Sequence, residues 1–177
     1  LKGSITDKTA LISIMFANNE VGTIEPISEI GALAKERGIC FHTDAVQAIG
    51  KEAFVVKDMP VDLLSMSAHK IYGPKGVGCL FLKRSIRLRP LIYGGGQENN
   101  LRSGTENVPG IVGFARAFEL AQGETEKENA RLRELRDYFI GRVLKEIPKT
   151  VLNGHPTQRL PNNVNISVLD IEGEGVV

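Results

Sequence analysis

The sequence predicts an α/β fold, a mostly parallel sheet with flanking helices that leads into the start of a small α+β unit. Three observations carry this expectation. Apolar, β-branched runs recur through the first half of the chain. A helix with a clear start and stop separates the first two of them. A glycine-rich loop is then followed by a long amphipathic stretch.

Each element has a local cause. TALISIMFANN (9–19) is an apolar, β-branched run ending on two asparagines, the pattern of a buried strand entering a loop. PISEIGALAKERG (26–38) has Pro26 at its start, Ile27, Ile30, Leu33 and Ala34 at helical spacing, and Gly38 at its stop. ICFHTDAVQ (39–47), VDLLSMSAH (61–69) and GVGCLFLK (76–83) read as three further strands. YGGGQENNLRSGTEN (93–107) is too polar and glycine-dense to be core, and reads as a loop. PGIVGFARAFELAQ (109–122) reads as a helix. ENARLRELRDYFIGRVLKEI (128–147) reads as a second, longer one, with Leu132, Leu135, Phe139, Val143 and Ile147 on one stripe and Pro148 ending it. NVNISVLDI (163–171) alternates as a half-buried strand. A domain change is expected near residue 123, with 1–122 as the later part of a large domain and 123–177 as a linking helix and the opening of a small one. EGEGVV (172–177) reads as the start of another helix, and Leu1 is not a natural start, so a piece of a longer protein is expected.

Composition narrows the function classes. Among 177 residues, 42% are hydrophobic and 24% charged, as in ordinary globular proteins. The net charge of +1 leaves no electrostatic footprint for nucleic acid or an anionic membrane, and no partner of either kind is expected. No apolar run approaches the roughly 20 residues of a membrane span. Cys40 and Cys79 lie far apart in apolar company, which fits reduced thiols and a cytoplasmic location better than a disulfide framework.

In open α/β sheets, ligands bind beyond the carboxyl ends of the parallel strands. The ends of the first three strands here are Asn18-Asn19-Glu20, His42-Thr43-Asp44 with Gln47, and Ser67-Ala68-His69-Lys70. Taken singly, each has an ordinary structural explanation. Asn18 and Asn19 could cap a turn, Asp44 could cap a helix after its strand, and Lys70 could be a rim lysine. His42 and His69 lack a third soft ligand for a metal site, and GPKGVG lacks the spacing of a phosphate loop. Taken together, an amine, a carboxylate on the neighbouring strand, and hydroxyl and imidazole groups are what pyridoxal 5'-phosphate requires. The amine condenses with the aldehyde, and the carboxylate keeps the pyridine nitrogen protonated.

NNEVGTIEPI, HTDAVQAIGK, SMSAHKIYGPKGVG and GGGQENNLRSGTEN, in this order, resemble consecutive motifs of the class V aminotransferase group, most closely the cysteine desulfurases of the NifS/IscS type. The resemblance implies the type I pyridoxal-phosphate fold and conversion of L-cysteine to L-alanine, with sulfur left as an enzyme persulfide for a sulfur-acceptor protein such as an iron–sulfur scaffold. By motif it implies Lys70 as the catalytic, cofactor-attaching lysine, Asp44 against the pyridine nitrogen, Gln47 near the ring hydroxyl, and Ser67 and His69 on the phosphate. Asn19 would lie between cofactor and substrate carboxylate. Thr105 would reach the phosphate bound in the partner subunit of a homodimer. The resemblance also implies that the persulfide-forming cysteine and the substrate-binding arginine lie outside these residues, so that this chain alone is expected to be inactive. Another class V enzyme, such as a selenocysteine lyase or a true aminotransferase, or a non-catalytic scaffold module, stays open.

Overall fold

The computed structural model describes residues 1–175. Its sheet runs in the order β1 (Leu11–Met15), β2 (Cys40–Asp44), β3 (Leu63–Ser67), β4 (Gly78–Leu82). β1 and β2 pair in parallel, as do β2 and β3, whereas β4 returns antiparallel to β3. The reversal follows from the length of the link. Residues 68–77 are too few for a parallel crossover, which needs a dozen or more. The expected mostly parallel sheet with flanking helices is therefore found.

Helix α1 (Ile27–Glu36) makes the crossover from β1 to β2. Its buried face, Ile27, Ile30 and Ala34, packs with Ile12, Phe41 and Leu64 from one side of the sheet. Fully burying side chains of this size contributes about 1.5–3 kcal/mol each. The other side of the same strands carries Ser13, Met15, His42, Asp44, Ser65 and Ser67, because successive strand residues alternate between faces. One side of the sheet is thus core, and the other carries these polar side chains.

Gly31 explains how closely α1 settles. A Cβ there would stand 2.3 Å from the Pro60 carbonyl oxygen. Gly31→Ala would gain about 1 kcal/mol in helix propensity. Overpacking against a fixed backbone atom typically costs 1–3 kcal/mol, and here it wins. Gly31→Ala is therefore expected to lower the thermal midpoint of the protein, and a raised midpoint would show that α1 can move outward without loss.

The two helices read from 109–122 and 128–147 are one continuous helix. After α2 (Gln97–Asn100), a single turn whose Glu98, Asn99 and Asn100 take left-handed angles, α3 runs unbroken over Val108–Glu146. The sequence suggested a break at GETEKE, but Gly123 costs only about 1 kcal/mol and no proline follows it before the end. Asn107 caps the start, its Oδ1 accepting from the Gly110 amide at 3.1 Å. Ile147, before Pro148, takes extended angles and ends the helix. The domain division read at 122/123 thus lies inside α3.

Strand β5 (Thr150–Leu152) pairs antiparallel with β6 (Ile166–Val168). β5 has too few residues to show a period, and only its partner was legible. Gly173–Gly175 forms a 3-10 turn, while Val176 and Val177 lie outside the described residues. Among the described residues, no helix is long and apolar enough to cross a membrane.

Candidate active site

At the β1 end, the two asparagines take different places. Asn18 Oδ1 accepts from the amides of Glu20 and Val21, both at 2.9 Å, and so holds the turn. Asn19 instead lines a shallow pocket together with Met15, Ala17, Asp44, Val46 and Gln47. Three of the residues singled out in the sequence thus meet around one cavity.

Asp44 does two things at once. Its Oδ1 accepts from the Val46 amide at 2.9 Å, the Asx turn that carries the chain out of β2. The carboxylate is exposed on the pocket side, and among the described residues no cation lies within ion-pair distance of it. It therefore has acceptor capacity left for a ligand.

Lys70 does not sit on a strand. β3 stops at Ser67, and Ala68–Ile71 form a 3-10 turn anchored by buried Ala68 and Ile71. Tyr72 closes that turn in the left-handed region at φ 63°, where a tyrosine is rare. The two buried residues pack on Phe114 of α3, leaving His69 and Lys70 exposed between them. Ser67 Oγ and His69 Nδ1 are 2.7 Å apart, so hydroxyl and imidazole form one polar unit just before the lysine.

Two neighbours of the pocket make contacts that the sequence does not show. Lys51 is half-buried, with Nζ 3.4 Å from the Gln47 carbonyl oxygen, and burial, then the charge of Lys70, pushes its pKa down. His42 belongs to the β2 end that the sequence singles out, and the sequence shows no third soft ligand that would make it part of a metal site. Its Nδ1 is 2.8 Å from Ser13 Oγ and its Nε2 is 2.8 Å from Ser65 Oγ, a polar ladder across β1, β2 and β3 on the Asp44 face. Only the strand register reveals it, since Ser13 pairs with His42 and Ser65 lies opposite Asp44.

Thr105 is exposed in the loop before α3 and is not part of the pocket lining. That loop is shaped by its own contacts: Ser103 Oγ donates to the Gly95 carbonyl at 2.8 Å and the Gly104 amide to Gln97 Oε1 at 3.1 Å. Cys40 is partly buried, and burial, with Asp62 adding to it, pushes its thiol up. Cys79, expected inside the core, is exposed in this structure: β4 is the last strand of this sheet, and residues 78–80 have no layer over them.

The fold and this polar rim together define a known class. The whole chain, residues 1–177, matches the family described as Aminotransferase class-V, and the chain belongs to that family. Within it, the chain is 58% identical over 177 residues to Cysteine desulfurase IscS of Methanosarcina thermophila, covering 100% of this chain and 44% of that relative. A solved NifS-like protein superposes with a TM-score of 0.91 at 41% identity, covering 99% of this chain and 48% of that one. A structure described as SspA in complex with cysteine is 49% identical at a TM-score of 0.64, covering 67% of this chain and 35% of that one. The NifS/IscS resemblance read from the motifs is borne out by these names. The chain spans less than half the length of these relatives.

Proposed function

We propose that the full-length protein is a pyridoxal-phosphate-dependent cysteine desulfurase. It would convert L-cysteine to L-alanine and leave the sulfur as a persulfide on an enzyme thiol, for delivery to an acceptor such as an iron–sulfur scaffold. The observation that carries this reading is the meeting of Asn19, Asp44 and Gln47 around one pocket, with the Ser67–His69–Lys70 turn on the adjoining strand end. The similarity to relatives named cysteine desulfurase supports the substrate class.

The donor set fits the cofactor. It offers an exposed primary amine, a carboxylate with unused acceptor capacity, and a paired hydroxyl and imidazole for phosphate. Bound pyridoxal phosphate supplies a protonated ring that accepts electron density from the substrate Cα. Lys70 would attach the cofactor and, when free, hold a proton at Nζ. Asp44 would hold the proton on the ring nitrogen. Gln47 would approach the ring hydroxyl, Ser67 and His69 would bind phosphate, and Asn19 would orient the substrate carboxylate. A large domain ending at 122 and a small one beginning at 123 are part of this reading. So is a cytoplasmic location, which the free thiols of Cys40 and Cys79 support.

The test is borohydride reduction of the cofactor-loaded, full-length protein followed by peptide mapping, alongside alanine release from L-cysteine. The pyridoxyl label is expected on Lys70. Label on another lysine, or no alanine, would overturn the reading.

Thr105, exposed and away from the pocket, is assigned to the site of the other subunit of a homodimer. Sedimentation is expected to show a dimer, and Thr105→Ala to weaken cofactor retention. A monomer that keeps its cofactor fully would remove Thr105 from the site.

A further inference from the structure

The turn that carries Asn19 is held from outside by the segment between β5 and β6. Arg159, 2% exposed, is the platform. Its Nη2 donates to the Val21 carbonyl at 3.0 Å and to Asn163 Oδ1 at 3.3 Å. That second bond orients the Asn163 amide, whose Nδ2 then donates to the carbonyls of Asn19 at 3.1 Å and Glu20 at 3.0 Å. Around this centre, the Leu160 amide donates to the Gly22 carbonyl at 2.8 Å, and the Ile24 amide to the Gln158 carbonyl at 2.9 Å. Gly22, at φ +79°, is the point of closest approach. A Cβ there would stand 2.4 Å from Asn163 Oδ1, so only glycine lets the turn meet the amide.

The turn is thus gripped on two sides. Asn18 fixes the amides of residues 20 and 21 from within, and Asn163 fixes the carbonyls of residues 19 and 20 from without. The Asn19–Glu20 peptide is held at its carbonyl by Asn163 and at its amide by Asn18, so the backbone from which the Asn19 side chain springs has a fixed direction. These bonds are exposed, so water can replace them at little cost in stability. Water would not reproduce their direction.

We propose that Asn163 is a positioning residue: held by Arg159, it fixes the Asn19–Glu20 peptide and thereby places the Asn19 side chain for the substrate carboxylate. This rests on the functional reading above. Asn165 supplies the control. Its Nδ2 donates to the same Glu20 carbonyl at 3.1 Å without touching Asn19.

The experiment compares wild type, Asn163→Ala, Asn163→Asp and Asn165→Ala as cofactor-loaded, full-length proteins. The readouts are thermal midpoint, equilibrium titration with L-alanine followed by the cofactor's visible spectrum, and KM against kcat for L-cysteine. Asn163→Asp keeps an acceptor for Arg159 but cannot donate to the Asn19 carbonyl. Both Asn163 variants are expected to weaken L-alanine binding and raise KM about tenfold, with kcat changed less. Asn165→Ala is expected to match wild type in binding. If an active wild type is matched by its Asn163 variants, or if Asn165→Ala shows the same loss, the positioning role is overturned and the functional reading stands. If the wild type does not act on L-cysteine, the functional reading falls and the assignment falls with it.

Discussion

Asp44→Asn is expected to fold like wild type, take up cofactor, and lose turnover by about three orders of magnitude, equivalent to about 4 kcal/mol in the barrier. The turn contact of this side chain and its proposed cofactor role can be separated because they use different properties. Accepting from the Val46 amide needs only an oxygen, which asparagine keeps. Holding a proton on a pyridine nitrogen needs the negative charge, which asparagine lacks. Asp44→Ala removes both and should show the turnover loss together with a stability loss of about 1 kcal/mol for the missing cap. Were Asp44 only the cap of the turn after β2, Asp44→Asn would be nearly silent. The deciding measurement is alanine release by fully loaded Asp44→Asn, and turnover within tenfold of wild type would end the assignment.

Much of this site was legible in the sequence, because strand ends can be read from where an apolar run meets polar residues. Asn19, Asp44, Ser67 and Lys70 are candidates of that kind, and the structure brings Asn19 and Asp44 to one pocket. What the sequence hid depends on contacts across the chain. His42 gives no sign of its two serine neighbours, because residues 13, 42 and 65 are brought together only by register. Lys51 closes the HTDAVQAIGK motif, and only the structure half-buries it near Lys70. The break read at residues 123–127 came from a glycine in a polar run, a weak penalty that a helix the length of α3 absorbs. The antiparallel return of β4 was readable in principle, since the link after β3 is short, but no residue in the strand itself declares its direction.

Arg159→Met is expected to destabilise the protein by about 3–5 kcal/mol through the carbonyls it leaves unpaired, although it removes a buried charge. Arg159 is 2% exposed, and among the described residues no carboxylate pairs with it. Burial, with the nearby Arg136 charge adding to it, pushes its pKa down, so the cation itself is held at a cost. A methionine of similar length would relieve that cost. The carbonyls decide the sign. The guanidinium donates to Val21 at 3.0 Å, Asn153 at 3.2 Å and His155 at 3.4 Å, tying the turn after β1 to the start of the segment that leaves β5. Each carbonyl left unpaired costs about 1–3 kcal/mol, and no other side chain carries donors in a fork that spans all three. Lysine should therefore rescue little, since one ammonium group cannot reach both segments in that geometry. Denaturant midpoints of the full-length Arg159→Met and Arg159→Lys variants would decide it. A wild-type midpoint in either variant would show that water enters and satisfies these carbonyls, and that the guanidinium is not what joins the turn after β1 to the segment after β5.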